Sequence, residues 1–209
     1  SVTTIGAYAF SECATLTSIN LPEGLKTIGE GAFNECTALK SITIPKKVET
    51  IGDNAFQRCT ALKDVTVAWT DAASIPVIQS NVFDGITPPT SVTLHVPGGT
   101  GEAYKGKDVW KELTIEELPW GDLSTGLHWK YDATTHSLTI TNPTPGSPKP
   151  MPDFADQDNQ PWKAYRGGIQ TVTIGAGVSA VGKNAFTGCN KLTSVTLPEG
   201  LEKIGQNAL

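Results

Sequence analysis

Several residue types recur in this chain at one interval. Phe10, Phe33 and Phe56 lie 23 residues apart. So do Ile5, Ile28 and Ile51, and so do Cys13, Cys36 and Cys59. The same register returns near the other end, in IQTVTIGAGVSAVGKNAFTGCNK from Ile169 and LTSVTLPEGLEKIGQNAL from Leu192, with Phe186 and Cys189 again three apart. A fixed period of 20 to 50 residues is the mark of a stacked-repeat architecture, and it limits the fold more than any other feature of the sequence.

Each repeat reads as one coil. Leu39-Lys40-Ser41-Ile42-Thr43-Ile44 ends in period-2 alternation, so it predicts a short strand. Pro45 closes it, because proline cannot donate to a ladder. Val48 and Ile51 then turn inward. Ile51, Ala55, Phe56 and Cys59 fall at i, i+4, i+5 and i+8, which predicts one face of a short helical turn. A single coil cannot bury its apolar face alone. Stacked coils can, and they form a continuous core and a parallel sheet.

The pattern L-x-x-I-x-I/L-P-x-x-V-x-x-I-G-x-x-A-F-x-x-C resembles the BspA-like leucine-rich-repeat family. The resemblance implies a leucine-rich-repeat solenoid, an α/β or mainly β right-handed coil with a parallel sheet. It also implies a bacterial or protozoan protein, secreted or held at the cell surface, that adheres to host proteins or other cells. It is specific over 1–68 and 169–209 and looser from 69 to 118.

The period loosens after residue 68. Ile78, Val82 and Phe83 keep the inward block, Asp84-Gly85 stands near the Cys position, and Ser91-Val92-Thr93-Leu94 is expected to be one more strand. Val96-Pro97, Tyr104 and Trp110 resemble the family's C-terminal ending, where a large aromatic covers the last coil. Leu127–Tyr131 and Leu138–Thr141 alternate around a turn and predict a β-hairpin. A Pro-rich loop comes after it, then Pro161-Trp162-Lys163-Ala164-Tyr165. Three segments are expected: a capped array (1–118), a hairpin and Pro-rich connector that caps the second array (119–168), and the start of that second array (169–209). The chain opens inside a repeat and ends at Leu209, where earlier repeats have Phe. It therefore reads as a piece of a longer protein with adhesive ends.

The sequence offers little for catalysis. It carries no nucleophile elbow, phosphate loop or HExxH, and no cofactor is expected. Structural zinc needs Cys pairs two to four residues apart, which a 23-residue spacing does not supply. Stacked in-register Cys side chains point the same way, which suits disulfides poorly. Cys13, Cys36, Cys59 and Cys189 are thus expected to be buried free thiols beside Phe10, Phe33, Phe56 and Phe186. His128, Asp132 and His136 read as a solvated hairpin turn. Asp153, Asp156, Asp158 and Asn159 lack the glycine and distant glutamate of a calcium loop. A net charge of −5 argues against nucleic acid, and no apolar run reaches the roughly 20 residues of a membrane span.

The remaining expectation is binding. The outward strand positions carry Ser18, Asn20, Ser41, Thr43, Asp64, Thr66, Ser91 and Thr93, with Thr171, Thr173, Ser194 and Thr196 in the second array. This polar stripe is the candidate ligand face, although threonine also favours strands for its own sake. Of the five tryptophans, Trp110, Trp129 and Trp162 fall in capping segments and are expected in the core. Trp69 and Trp120 are candidates for exposed platforms. The expected partner is a protein, with a glycan held by exposed Trp as the alternative and a purely structural spacer as a third reading.

Overall fold

A computed structural model describes residues 2–209. Among the described residues the fold is mainly β, with one short α-helix, α1 (Gly101–Lys105), and a few 3-10 turns. It divides into two compact units, Ser1–Glu117 and Leu118–Leu209. The hairpin and Pro-rich stretch lie in the same unit as the second array, and each unit has its own buried core.

In the first unit, β1 (Thr4–Ile5), β2 (Thr27–Ile28) and β4 (Thr50–Ile51) form one parallel sheet, with Ile5, Ile28 and Ile51 in register. β3 (Ser41–Ile44), β5 (Asp64–Val67), β6 (Thr93–Pro97) and β7 (Thr114–Leu118) form a second sheet in the order β3-β5-β6-β7. Ile42 and Ile44 point inward and Ser41 and Thr43 outward, as alternation requires.

Between the two sheets lies a wall of turns. The A-F-x-x-C block forms consecutive turns and not the helical turn its spacing suggests. Asn54 (φ 57°) and Arg58 (φ 56°) are left-handed on either side of Phe56, and left-handed residues interrupt a right-handed helix. The amides bond from coil to coil instead. Phe10 donates to Ala32, Phe33 to Ala55 and Phe56 to Val82, each within 3.0 Å. Stacking places Phe10, Phe33, Phe56 and Phe83 face to face, with ring centroids 5.3, 5.4 and 5.7 Å apart, close to the strand spacing of about 4.8 Å.

The second unit joins the hairpin to the repeats in one sheet. β9 (His128–Asp132) and β10 (Ser137–Thr141) are antiparallel. β10 pairs in parallel with β12 (Thr171–Ile174), which pairs with β14 (Ser194–Thr196). β8 (Trp120–Asp122) flanks β9 on the other edge. A smaller sheet holds β11 (Lys149–Pro150), β13 (Val178–Val181) and β15 (Lys203–Ile204).

Candidate binding surface

The inward ladder is structural. Cys36 and Cys59 are fully buried, and their thiols donate to the carbonyls of Phe10 (3.0 Å) and Phe33 (3.1 Å) one coil away. Burial pushes the Cys59 thiol up to about 12 and the Cys189 thiol up to about 11. All four cysteines are free. Cys13 departs from the expected burial: it lies on the outer side of the first coil and is only half-buried.

The caps obey the same logic. Trp110 meets Phe83 edge-on at 6.0 Å, ending the phenylalanine stack, and its indole donates to the Pro76 carbonyl. Trp162 stacks on Phe186 at 5.6 Å and donates to Ala185. Trp129 is buried beside Trp162. Trp69, expected as an exposed platform, is instead 2% exposed. Its indole donates to Val48, its carbonyl accepts from Tyr104, and its ring meets Trp110 at 5.9 Å. A buried indole with a satisfied N–H is a core residue.

The outward face of the β3-β5-β6-β7 sheet differs in register from the sequence reading. Asp64 pairs with Thr93 and Thr66 with His95. Ser91 ends a short 3-10 helix (Pro89–Ser91) and lies outside the ladder. The rows are therefore Ser41-Asp64-Thr93 and Thr43-Thr66-His95. A slip of two keeps the same residues facing out, since the side-chain period of a strand is two. Aligning Val96-Pro97 with Ile44-Pro45 gives the correct register, so the signal is present in the sequence.

The corrected register adds to this face His95, which the sequence reading missed, and Glu116, which stands outside the expected stripe. His95 places Nε2 2.9 Å from an Asp64 carboxylate oxygen and Nδ1 3.5 Å from one of Glu116. A polar line thus crosses β5, β6 and β7, with the Asp64 and Glu116 side chains 52% and 65% exposed. At the other edge, Ser18 and Asn20 are exposed on an extended segment that forms no strand. A cleft of about 390 Å³ opens between that segment and β3, and Ser18, Asn20, Ser41 and Thr43 line it. Four of the expected stripe residues therefore share a concavity.

In the second unit the outward rows are Ser194-Thr171-Ser137-Asp132 and Thr196-Thr173-Thr139-Lys130-Trp120. Trp120 is half-buried, directly across from Lys130, and the neighbouring pair Asp122–His128 is hydrogen-bonded. His136 faces the Tyr131 hydroxyl, and Asp132 accepts from the amides of Thr134 and Thr135. Asp156 accepts from the Asn159 side-chain amide and from the backbone amides of Asp158 and Asn159, which holds its carboxyl below the usual range. These are turn-closing bonds. Among the described residues no group of three His, Cys, Asp or Glu side chains is placed to hold a metal ion, and no helix is long and apolar enough to cross a membrane.

Comparison with known proteins gives the inward pattern a family. Among solved structures, the chain is similar to a leucine-rich-repeat protein of T. pallidum (18% identity, 98% of this chain and 67% of that one, TM-score 0.30). It is also similar to one from Bacteroides ovatus (20%, 100% and 55%, TM-score 0.31). A third is a leucine-rich cell surface protein of Faecalibacterium prausnitzii (18%, 100% and 60%, TM-score 0.31). The chain thus spans between 55% and 67% of the lengths of these three. A comparison with curated proteins gave no match. The family model for the BspA type leucine-rich-repeat region matches in six copies over residues 1–97 and 164–209. That region contains the Phe and Cys ladders and most of the strands, and the chain belongs to the BspA-type leucine-rich-repeat family.

Proposed function

We propose that this chain is a non-enzymatic binding module of a bacterial surface or secreted protein, and that its ligand is another protein. The observation that carries this reading is the division of labour within each coil. Most aromatic, aliphatic and thiol groups of the first array are taken up by the ladders and caps, whereas the face of the β3-β5-β6-β7 sheet presents Ser41, Thr43, Asp64, Thr66, Thr93, His95 and Glu116 outward. The family supports it as well, since the matching model is a repeat region and not an enzyme. Repeat solenoids expose long ordered surfaces for recognition. A surface of hydroxyls and carboxylates without a large apolar anchor gives specificity through hydrogen bonds and charge more than through buried area.

A glycan is the second reading, and Trp120 favours it. On the outward face of the second unit its ring has Lys130 directly across, with Thr139, His128 and Asp122 nearby and no other large apolar side chain in its row. One aromatic plane among hydrogen-bonding groups suits a sugar ring better than an apolar protein patch.

The two readings separate on an array of extracellular-matrix proteins and glycans probed with the intact chain. Binding to protein spots that survives Trp120→Ala is the expected result. Binding confined to glycans and abolished by Trp120→Ala would replace the first reading with the second.

A further inference from the structure

The chain is acidic overall, at −5, but one groove in the first unit is not. Lys26, Lys46 and Lys47 line it against a single carboxylate, Glu49, which lies 3.6 Å from Lys26. One wall is the turn carrying Lys46 and Lys47 and the segment that leads into β4. The other is residues 73–77, where the chain leaves the repeat. The groove arises because the fourth coil is longer: Asp64 pairs with Thr93, 29 positions on, whereas Ser41 pairs with Asp64, 23 positions on. Pro76 lies in the added stretch and brings no amide to a ladder. Among the described residues β4 is accordingly the last strand of its sheet. The resulting trough has a volume of about 730 Å³, within the roughly 300–1,000 Å³ of ordinary ligand sites.

Val77 is the second observation. It stands on the far wall and is 80% exposed, the most exposed large apolar side chain among the described residues. Nothing in the repeat pattern calls for it, since Ile75 and Ile78 on either side already fill the core. An apolar contact thus faces a cationic rim across a trough bounded by two chain segments. Lysines on flexible stems pair with carboxylates as point charges and do not demand the planar fork that arginine reads.

We propose that this groove binds an acidic, extended polypeptide segment of another protein, with two or more Asp or Glu side chains on the Lys26, Lys46 and Lys47 rim and an apolar side chain between them on Val77. The site is separate from the β3-β5-β6-β7 face and stands whether or not that face binds. The acidic remainder of the molecule repels such a segment, so the local positive charge directs it here. Binding weakens as salt screens the exposed lysines.

Panning a random heptapeptide library on the intact chain, with counter-selection on the Lys46→Glu/Lys47→Glu variant, tests this. The expected peptides carry at least two Asp or Glu flanking an apolar residue. Their affinity is expected to fall at least tenfold in the double variant and severalfold in Val77→Ser, with melting temperatures unchanged because all three positions are exposed. Amide NMR shifts on adding the best peptide are expected to centre on 46–50 and 73–77. Failure to enrich acidic peptides, or peptides indifferent to both variants, would overturn the proposal.

Discussion

At the scale of single residues, the ladders convert a 23-residue period into a core. Phe33 is stacked on both sides, between Phe10 and Phe56, and is fully buried. Phe33→Ala should cost about 3–5 kcal/mol, the usual range for removing a buried phenylalanine. Thr43 is exposed on β3, and Thr43→Ala should cost under about 0.5 kcal/mol. Urea unfolding of the two variants checks both figures. The thiols add a dependence on pH. The Cys59 pKa is raised in the folded state, so the folded chain holds that proton where the unfolded chain releases it. The stabilisation is complete below the ordinary thiol value of 9.0 and is lost as pH rises towards about 12. Cys189 behaves likewise up to about 11. Stability should therefore fall between pH 9 and 12, and Cys59→Ala should make that fall shallower. A parallel slope in the variant would show that other groups carry it.

Some of this was readable from spacing and some was not. The period named Phe10, Phe33, Phe56 and their cysteines because identical neighbours above and below each rung leave one workable orientation. Trp69 lies where the period loosens, and its burial depends on Tyr104, 35 positions later, a partner that no local pattern reveals. Backbone conformation was equally hidden. Tyr8, Gly31 and Asn54 share one left-handed position, with φ between 55° and 57°. Their side chains have little else in common. At Gly31 a Cβ would collide with the Tyr8 ring, so glycine answers there to a tyrosine one coil away.

At the scale of elements, each array ends against an aromatic set at a different angle or of a different size from its own rungs. Trp110 ends the first stack edge-on and Trp162 opens the second face-on. Both are fully buried with satisfied indoles. Trp110→Ala should remove about 3–5 kcal/mol from the first unit, and Trp162→Ala about as much from the second. Because the two cores are separate clusters, hydrogen exchange should quicken chiefly in residues 2–117 for Trp110→Ala and in 118–209 for Trp162→Ala. Uniform loss of protection in either variant would show that the units unfold together. The hairpin was legible from its alternation, and so were the capping tryptophans. The β6 register is misread when the strand is anchored on Ser91 and not on the Val96-Pro97 stop, and His95 escapes notice for that reason. The groove at Lys26, Lys46 and Lys47 was hidden for another: it forms from an insertion, and an insertion has no period.

At the scale of the molecule, stacking decides which positions are left to face outward. Inward positions are set by stacking, so the proposed binding is left to the outward positions and to departures from the repeat. Here the outward positions gather on the β3-β5-β6-β7 face, with the cleft beside Ser18 and Asn20 at one edge and the Asp64–His95–Glu116 line toward the other. The central proposal is that the ladders hold the fold and this face meets a protein ligand. A double variant, Thr43→Arg/Thr66→Arg, tests it on the matrix-protein array. Both side chains are outward neighbours on β3 and β5, so the two arginines crowd the face without entering the core. The variant should melt within a few degrees of the unmodified chain and lose at least tenfold of its signal on the protein spots. Unchanged binding by the correctly folded variant would contradict the account.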